Sequence, residues 1–275
     1  MLGKLLKHEF RATGRLMLPA LGAVLALAVL ANLSIRFMQV TDSTFLTILF
    51  GLVIAAFVIG MIAAAVMTLV LMILRFYRNL LRDEGYLMHT LPVSVHGLVW
   101  SKLLVSLVWV VVTWLVICLT VVLTVLLQTG TDLGQLLAQL PSWAEIRESL
   151  AQIGIRSGDL WLIGGEMLLA MILAVLASCL HFYAAMSLGH IFSKDKVLLS
   201  IVFFVALSFA FSILQTGYNV GFVIRLEDGS FMETARDVLR FARGMVGRGL
   251  LAELVQGAIL YVITTLSLQK KLNLA

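Results

Sequence analysis

Long apolar runs alternate with short polar segments along the whole chain. The runs near 16–35, 44–74, 99–127, 161–191, 197–215 and 250–268 carry almost no charge. A helix of about twenty residues, rising about 1.5 Å per residue, crosses about 30 Å of hydrocarbon. Each run therefore predicts a transmembrane α-helix. The runs 44–74 and 161–191 exceed that length, so their helices tilt or project into the aqueous phase. A soluble core would have to absorb stretches such as Leu18 to Leu33 and Leu103 to Leu127, and bilayer burial explains them more simply. The first run is too long for a signal peptide and lacks a clear small-x-small cleavage site, so it reads as a retained helix.

Composition agrees with the pattern. Of 275 residues, 61% are hydrophobic and 13% charged, whereas soluble domains carry about a quarter charged. Mean hydropathy is +1.05. The net charge of +5 does not point to nucleic acid, because the basic residues sit in short clusters between apolar runs. Cys118 and Cys179 both lie inside apolar runs, where free cysteine acts as a small hydrophobe, so neither a disulfide framework nor a metal site is expected. The expected fold is an all-α integral membrane protein, with one transmembrane domain over 1–275.

Basic residues orient the spans. Lys4, Lys7, Arg11 and Arg15 precede the first span, and Arg75, Arg78, Arg82 and Lys102 flank the connection from the second to the third. Lys194 and Lys196 separate the fourth and fifth, while Lys270 and Lys271 follow the sixth. With six spans all of these fall on one side, which is then the cytoplasm, and both termini lie inside.

Three polar segments have helical signatures of their own. Residues 1–15 place Leu2, Leu5, Leu6 and Phe10 on one face and Lys4, His8, Arg11 and Arg15 on another, as in a helix lying in the inner interface. Such a helix would bind anionic lipid at about 1 kcal/mol per basic residue. On the outside, Ser142-Trp143-Ala144-Glu145 fits a capping box, followed by Trp143, Ile146, Leu150 and Ile153 at helical spacing. Ser230-Phe231-Met232-Glu233 repeats the signal within the outer loop 216–249. Both predict short amphipathic helices, which either cover the outer mouth of the bundle or handle substrate. Ala56, Gly60 and Ala64 recur every four residues on the second span, a small-residue face suited to packing within the chain or against a second copy.

Catalytic constellations are missing from the sequence. There is no G-x-x-x-x-G-K-[S/T] loop, and Gly244, Gly247 and Gly249 lack the strand and glycine order of a dinucleotide site. His8-Glu9 does not extend to H-E-x-x-H, and Cys179-x-His181 is too closely spaced for a zinc site. The chain is thus read as a non-enzyme without catalytic, cofactor-binding or metal-binding residues. Ionisable residues inside spans cost about 2.5–3.5 kcal/mol each on insertion scales, and the candidates for a role there are Glu166, His181, His190 and Glu253. Glu166 and Glu253 are expected near the outer ends of their spans, His190 near an inner end, and His181 deep, as a neutral hydrogen-bonded side chain.

The cytoplasmic connection over 75–98 mixes aromatic, apolar and charged residues more than a solvated loop does. It reads Arg-Phe-Tyr-Arg-Asn-Leu-Leu-Arg-Asp-Glu-Gly-Tyr-Leu-Met-His-Thr-Leu-Pro-Val from Arg75 to Val93, with Pro92 and Ser94 able to stop one helix and start the next. The N-terminal amphipathic helix, six spans and this D-E-G-Y-L-x-x-T-L-P-V segment resemble the permease subunits of ABC-2-type transporters, particularly the Gram-positive bacterial peptide and antibiotic exporter group. The resemblance spans the chain in layout and is motif-specific only near Arg75 to Lys102.

The resemblance implies a bacterial cell membrane location, a second permease copy forming a homodimer, and two separate ABC ATPase subunits that hold ATP and Mg2+. It places the coupling element at Arg82, Asp83, Glu84, Gly85, Tyr86, Leu87, His89 and Thr90, beside Lys4, Lys7, His8, Arg11 and Arg15 of the N-terminal helix. Lys194, Asp195 and Lys196 would form a secondary cytoplasmic contact. An almost uncharged interior and amphipathic outer loops suit an amphipathic or hydrophobic cargo, and the resemblance implies a peptide ahead of a lipid or drug. Two rivals remain: an ion-gradient-driven secondary transporter, which calls for paired intramembrane carboxylates and broken helices, and a non-transporting membrane scaffold or sensor.

Overall fold

In hydrocarbon every backbone amide must find a partner within the protein, which confines spanning segments of this kind to helices. The computed structural model of the protein describes residues 2–81, 94–129, 134, 141–152, 156–192, 195–227 and 235–270. Its helices are α1 (Leu2–Met38), α2 (Thr44–Phe76), α3 (Val95–Thr129), α4 (Trp143–Gln152), α5 (Ser157–Gly189), α6 (Lys196–Glu227) and α7 (Ala235–Lys270). A π-helical turn, Tyr77–Leu81, continues α2. No strand occurs among the described residues. Six helices are long and apolar enough to cross a membrane, and their most apolar stretches have mean hydropathies from 1.6 to 2.9. The protein is an all-α, multi-pass membrane protein.

Two expectations about helix ends are revised. Residues 2–15 are the first turns of α1 rather than a separate helix. One buried stripe runs through Glu9, Thr13, Met17, Leu21, Val24, Ala28 and Ala31, so nothing in the packing divides them. Pro19 lies inside α1 and removes one rung of its hydrogen-bond ladder without ending it. Similarly, residues 235–249 are the opening turns of α7, not a separate outer helix. Gly244, Gly247 and Gly249 each weaken a helix by only about 1 kcal/mol relative to alanine, which the apolar run after them offsets. The capping signal at Ser230 to Glu233 lies outside the described residues.

A helix does form at the Ser142 signal, over Trp143–Gln152, while Ile153 lies outside the described residues. The Glu145 amide donates to Ser142 Oγ at 3.2 Å and the Ser142 amide to Glu145 Oε2 at 3.0 Å, a complete capping box for α4. Trp143 meets Trp161 of α5 with ring centroids 5.6 Å apart.

Contacts group the chain into two units, Met1–Arg75 with Trp100–Leu140 and Phe76–Val99 with Pro141–Ala275. In the first unit, Met17, Leu21 and Val24 of α1, Phe57, Ala64 and Met72 of α2, and Leu103 and Trp109 of α3 are buried. Polar contacts fix their register. Asn32 donates to Thr124 at 3.1 Å, Thr68 and Thr113 hydroxyls lie 2.9 Å apart, and Arg36 donates to the Leu127 carbonyl at 3.1 Å. The small-residue face of α2 is used here: a Cβ on Gly60 would come within 2.9 Å of Leu27, and Ala64 is buried, while Ala56 is exposed.

In the second unit Leu180, Tyr183 and Ala184 of α5 and Leu260 of α7 are buried, together with Phe76, Leu80, Leu98 and Val99. The turn from α5 to α6 is tight. A Cβ on Gly189 would lie 2.6 Å from the Ser200 nitrogen and 2.7 Å from the Lys196 oxygen, so only glycine fits this approach. Asp195 completes the turn with φ 52°, a left-handed conformation that Asp tolerates better than most residues. Large apolar side chains such as Leu52, Leu115 and Phe209 remain exposed, as lipid-facing positions must.

Candidate functional site

Three features carry chemistry, each within a single unit. The first is a buried ion cluster near the start of α1. Glu9 points inward, away from Lys4, Lys7, His8, Arg11 and Arg15, all of which are exposed. Its carboxylate pairs with Lys102 Nζ of α3 and, at 2.9 Å, with Arg75 Nη2 at the end of α2. Side-chain exposure is 8% for Glu9, 4% for Lys102 and 30% for Arg75. One turn on, the Thr13 hydroxyl donates to the Glu9 carbonyl at 2.8 Å and accepts from Trp109 Nε1 at 2.8 Å. The amphipathic division of residues 2–15 is thus correct for its basic face, whereas the opposite face packs on protein through Phe10 and Trp109.

The sequence pattern does not single out Glu9, and it marks Arg75 and Lys102 as orienting charges that bound the α2–α3 connection rather than as partners of a buried carboxylate. A usable signal exists: Glu9 sits four residues before Thr13 and eight before Met17, on the apolar stripe rather than the basic face.

The second feature is the root of the α2–α3 connection. Arg82, Asp83, Glu84, Gly85, Tyr86, Leu87, His89 and Thr90 lie outside the described residues, but both ends of the segment belong to the second unit. Phe76 stacks on Tyr183 of α5, centroids 3.9 Å apart and planes 7° apart, and both rings are almost wholly buried. Tyr77 meets His190 edge-on at 5.4 Å. The π-helical turn buries Asn79, Leu80 and Leu81, and such turns often mark functional positions. At the far end His96 Nδ1 lies 2.7 Å from the Tyr261 hydroxyl of α7. Of the secondary cytoplasmic group, Lys194 is outside the described residues, Asp195 is exposed and Lys196 opens α6.

The third feature is a polar cavity of about 350 Å³ within the spanning stretches of α5, α6 and α7. Each helix contributes polar residues at helical spacing: Ser178 and His181 from α5, Ser208, Ser212 and Gln215 from α6, Glu253 and Gln256 from α7. His181 Nε2 lies 3.0 Å from Ser208 Oγ and 3.2 Å from the Phe204 carbonyl, and the Ser208 hydroxyl also donates to that carbonyl at 2.8 Å. The deep, hydrogen-bonded His181 expected from sequence is therefore present. Phe182, Phe204 and Phe211 complete the wall.

Glu166 and Glu253 part company. Glu166 Oε1 accepts from Arg243 Nη2 at 3.0 Å, linking α5 to α7. That partner exists because α7 already runs helically at residue 243. The Glu253 side chain makes no hydrogen bond or ion pair among the described residues, although it lines the cavity. Grouped His, Cys, Asp and Glu able to hold a metal ion do not occur among the described residues, and Cys118 and Cys179 are free thiols.

Comparison with protein-family models, curated proteins and solved structures finds no match to this chain.

Proposed function

We propose that this chain is the membrane-spanning permease subunit of an ATP-driven ABC exporter in a bacterial cell membrane. It works as a homodimer with two separate ATPase subunits, which bind ATP and Mg2+, and exports amphipathic or hydrophobic peptides. The observation that carries the reading is the rooting of the α2–α3 connection at both ends, on α5 through Phe76–Tyr183 and on α7 through His96–Tyr261.

A partner that pushed on this connection would move the helices that carry Ser178, His181, Glu253 and Gln256. ATP-driven closure of the ATPases then shifts helices as rigid bodies and reshapes the polar cavity. Ser178, Ser212 and Gln215 face out of the unit, and polar groups at membrane depth need water or protein around them. A path formed with a second copy supplies that environment.

The deciding experiment is co-purification with candidate ATP-binding-cassette subunits, comparing the native chain with a Glu84→Arg, Tyr86→Ala double variant. Binding to the native chain that is lost in the variant supports coupling through this connection. If no ATPase binds the native chain, the reading fails. Glu253 inside a polar cavity favours one rival, an ion-gradient-driven transporter. Transport that survives ATP depletion and collapses with the proton gradient would establish that rival instead.

A further inference from the structure

Carrying a carboxylate on a spanning helix is costly, and Glu166 shows how this protein offsets the cost when the residue is structural: it supplies Arg243. Glu253 receives no such partner among the described residues, yet it is placed where α5, α6 and α7 leave space. The space also differs from the apolar groove of the first unit. The apolar groove of the first unit, about 410 Å³, has Thr68 and Thr113 as its only hydroxyls, and these bond to each other. The cavity around Glu253 instead has a hydroxyl or an amide side chain on each of its three walls, with Phe204 and Phe211 beside them.

From this juxtaposition we propose that the cavity binds an organic cation, an ammonium group carried on an apolar or aromatic body, with Glu253 as counter-charge and Phe204 and Phe211 as apolar and π-face contacts. Three physical requirements of such a ligand are met together. A carboxylate attracts the charge more strongly in a low-dielectric wall than in water. Aromatic faces within about 6 Å of a cation add attraction that an inorganic ion's hydration shell would prevent from being used fully. The Gln215 and Gln256 side-chain carbonyl oxygens can turn toward the positive head, whether or not it carries hydrogens. The volume falls within the range of small-ligand pockets, about 300–1,000 Å³.

His181 is held by Ser208 and the Phe204 carbonyl, so it shapes one wall rather than competing as a counter-ion. Two sources offer this chemistry: a lysine side chain or terminal amine of an exported peptide, or a free amphipathic amine. As a cargo site the cavity rests on the permease reading, whereas binding itself is a property of this chain alone.

The test uses the full chain in lipid nanodiscs without any ATPase, so a failure of ATPase coupling leaves it unaffected. Radiolabelled benzyltrimethylammonium is titrated by equilibrium dialysis against its neutral carbon analogue, neopentylbenzene. The expected result is saturable binding of the cation, weakened at least tenfold in Glu253→Gln, with no corresponding change for the neutral compound. A second variant, Ser212→Leu, fills the cavity without touching the carboxylate and is expected to abolish binding, with native-like thermal unfolding of both variants as the folding control.

A lysine-containing amphipathic peptide that competes, while its acetylated form does not, supports a peptide amine as the source. Cation binding without peptide competition supports a free amine. Equal affinity of the native chain and Glu253→Gln for benzyltrimethylammonium, or no saturable binding at all, overturns the proposal.

Discussion

Replacing Glu9 by glutamine tests whether α1 is tied to α2 and α3 by charge. The change keeps the shape of the side chain and removes the counter-charge of Lys102, whose side chain is 4% exposed. Breaking a buried ion pair by removing one of its members costs about 3–5 kcal/mol. The Arg75 arm adds less, because that guanidinium is 30% exposed and can turn to water. The lower end, about 3 kcal/mol, is therefore expected.

At about 2–4 °C per kcal/mol for a chain of this size, that corresponds to a fall in melting temperature of about 6–12 °C. Temperature-ramped tryptophan fluorescence in mild detergent reads it directly, since Trp109 hydrogen-bonds Thr13 one turn from Glu9. The companion variant, Glu9→Leu with Lys102→Met, removes both buried charges and is expected to melt within a few degrees of the native chain, because apolar replacement of a buried pair is often neutral. An unchanged melting temperature in Glu9→Gln, or a double variant less stable than the single one, would refute the account.

Gly189→Ala brings a methyl group against the backbone of Ser200 and Lys196, so the α5–α6 turn must open, at a cost of about 2 kcal/mol; a lower melting temperature checks this. Ser142→Ala removes one half of the α4 capping box. The expected loss is about 1 kcal/mol, confined to α4. Amide exchange over Trp143–Gln152 should quicken about fivefold while the global melting temperature stays put.

Legibility followed the distance over which each feature is determined. Bilayer length and hydropathy are summed over one segment, so six spanning helices could be read directly, and the capping box at Ser142 and Glu145 needs only three residues. The starts of α1 and α7 are the reverse case. A basic amphipathic stretch looks alike whether it ends before a span or continues into it, and only packing along the stripe from Glu9 to Ala31 distinguishes the two.

Glu9 escaped notice because its partners lie 66 and 93 residues away. The polar cavity is an intermediate case. Its members sit three or four residues apart on each helix, visible as Ser178/His181, Ser208/Ser212 and Glu253/Gln256, but nothing local says that the three faces converge. Gly189 is a single glycine among 21, and its need arises from a neighbouring backbone that sequence spacing does not reveal.

The aromatic root of the α2–α3 connection also sets a timetable for synthesis. His96 and Tyr261 are 165 residues apart, and ribosomes add about 5–20 residues per second. About eight to thirty seconds therefore pass between the emergence of His96 and that of its partner, and Phe76 waits in the same way for Tyr183. During that interval the nascent chain displays Phe76 and Tyr77 without Tyr183 and His190, which later meet them. Until then these side chains form an apolar patch of the kind that chaperones and membrane proteases recognise, and its His96 end is completed only once the last helix has been made.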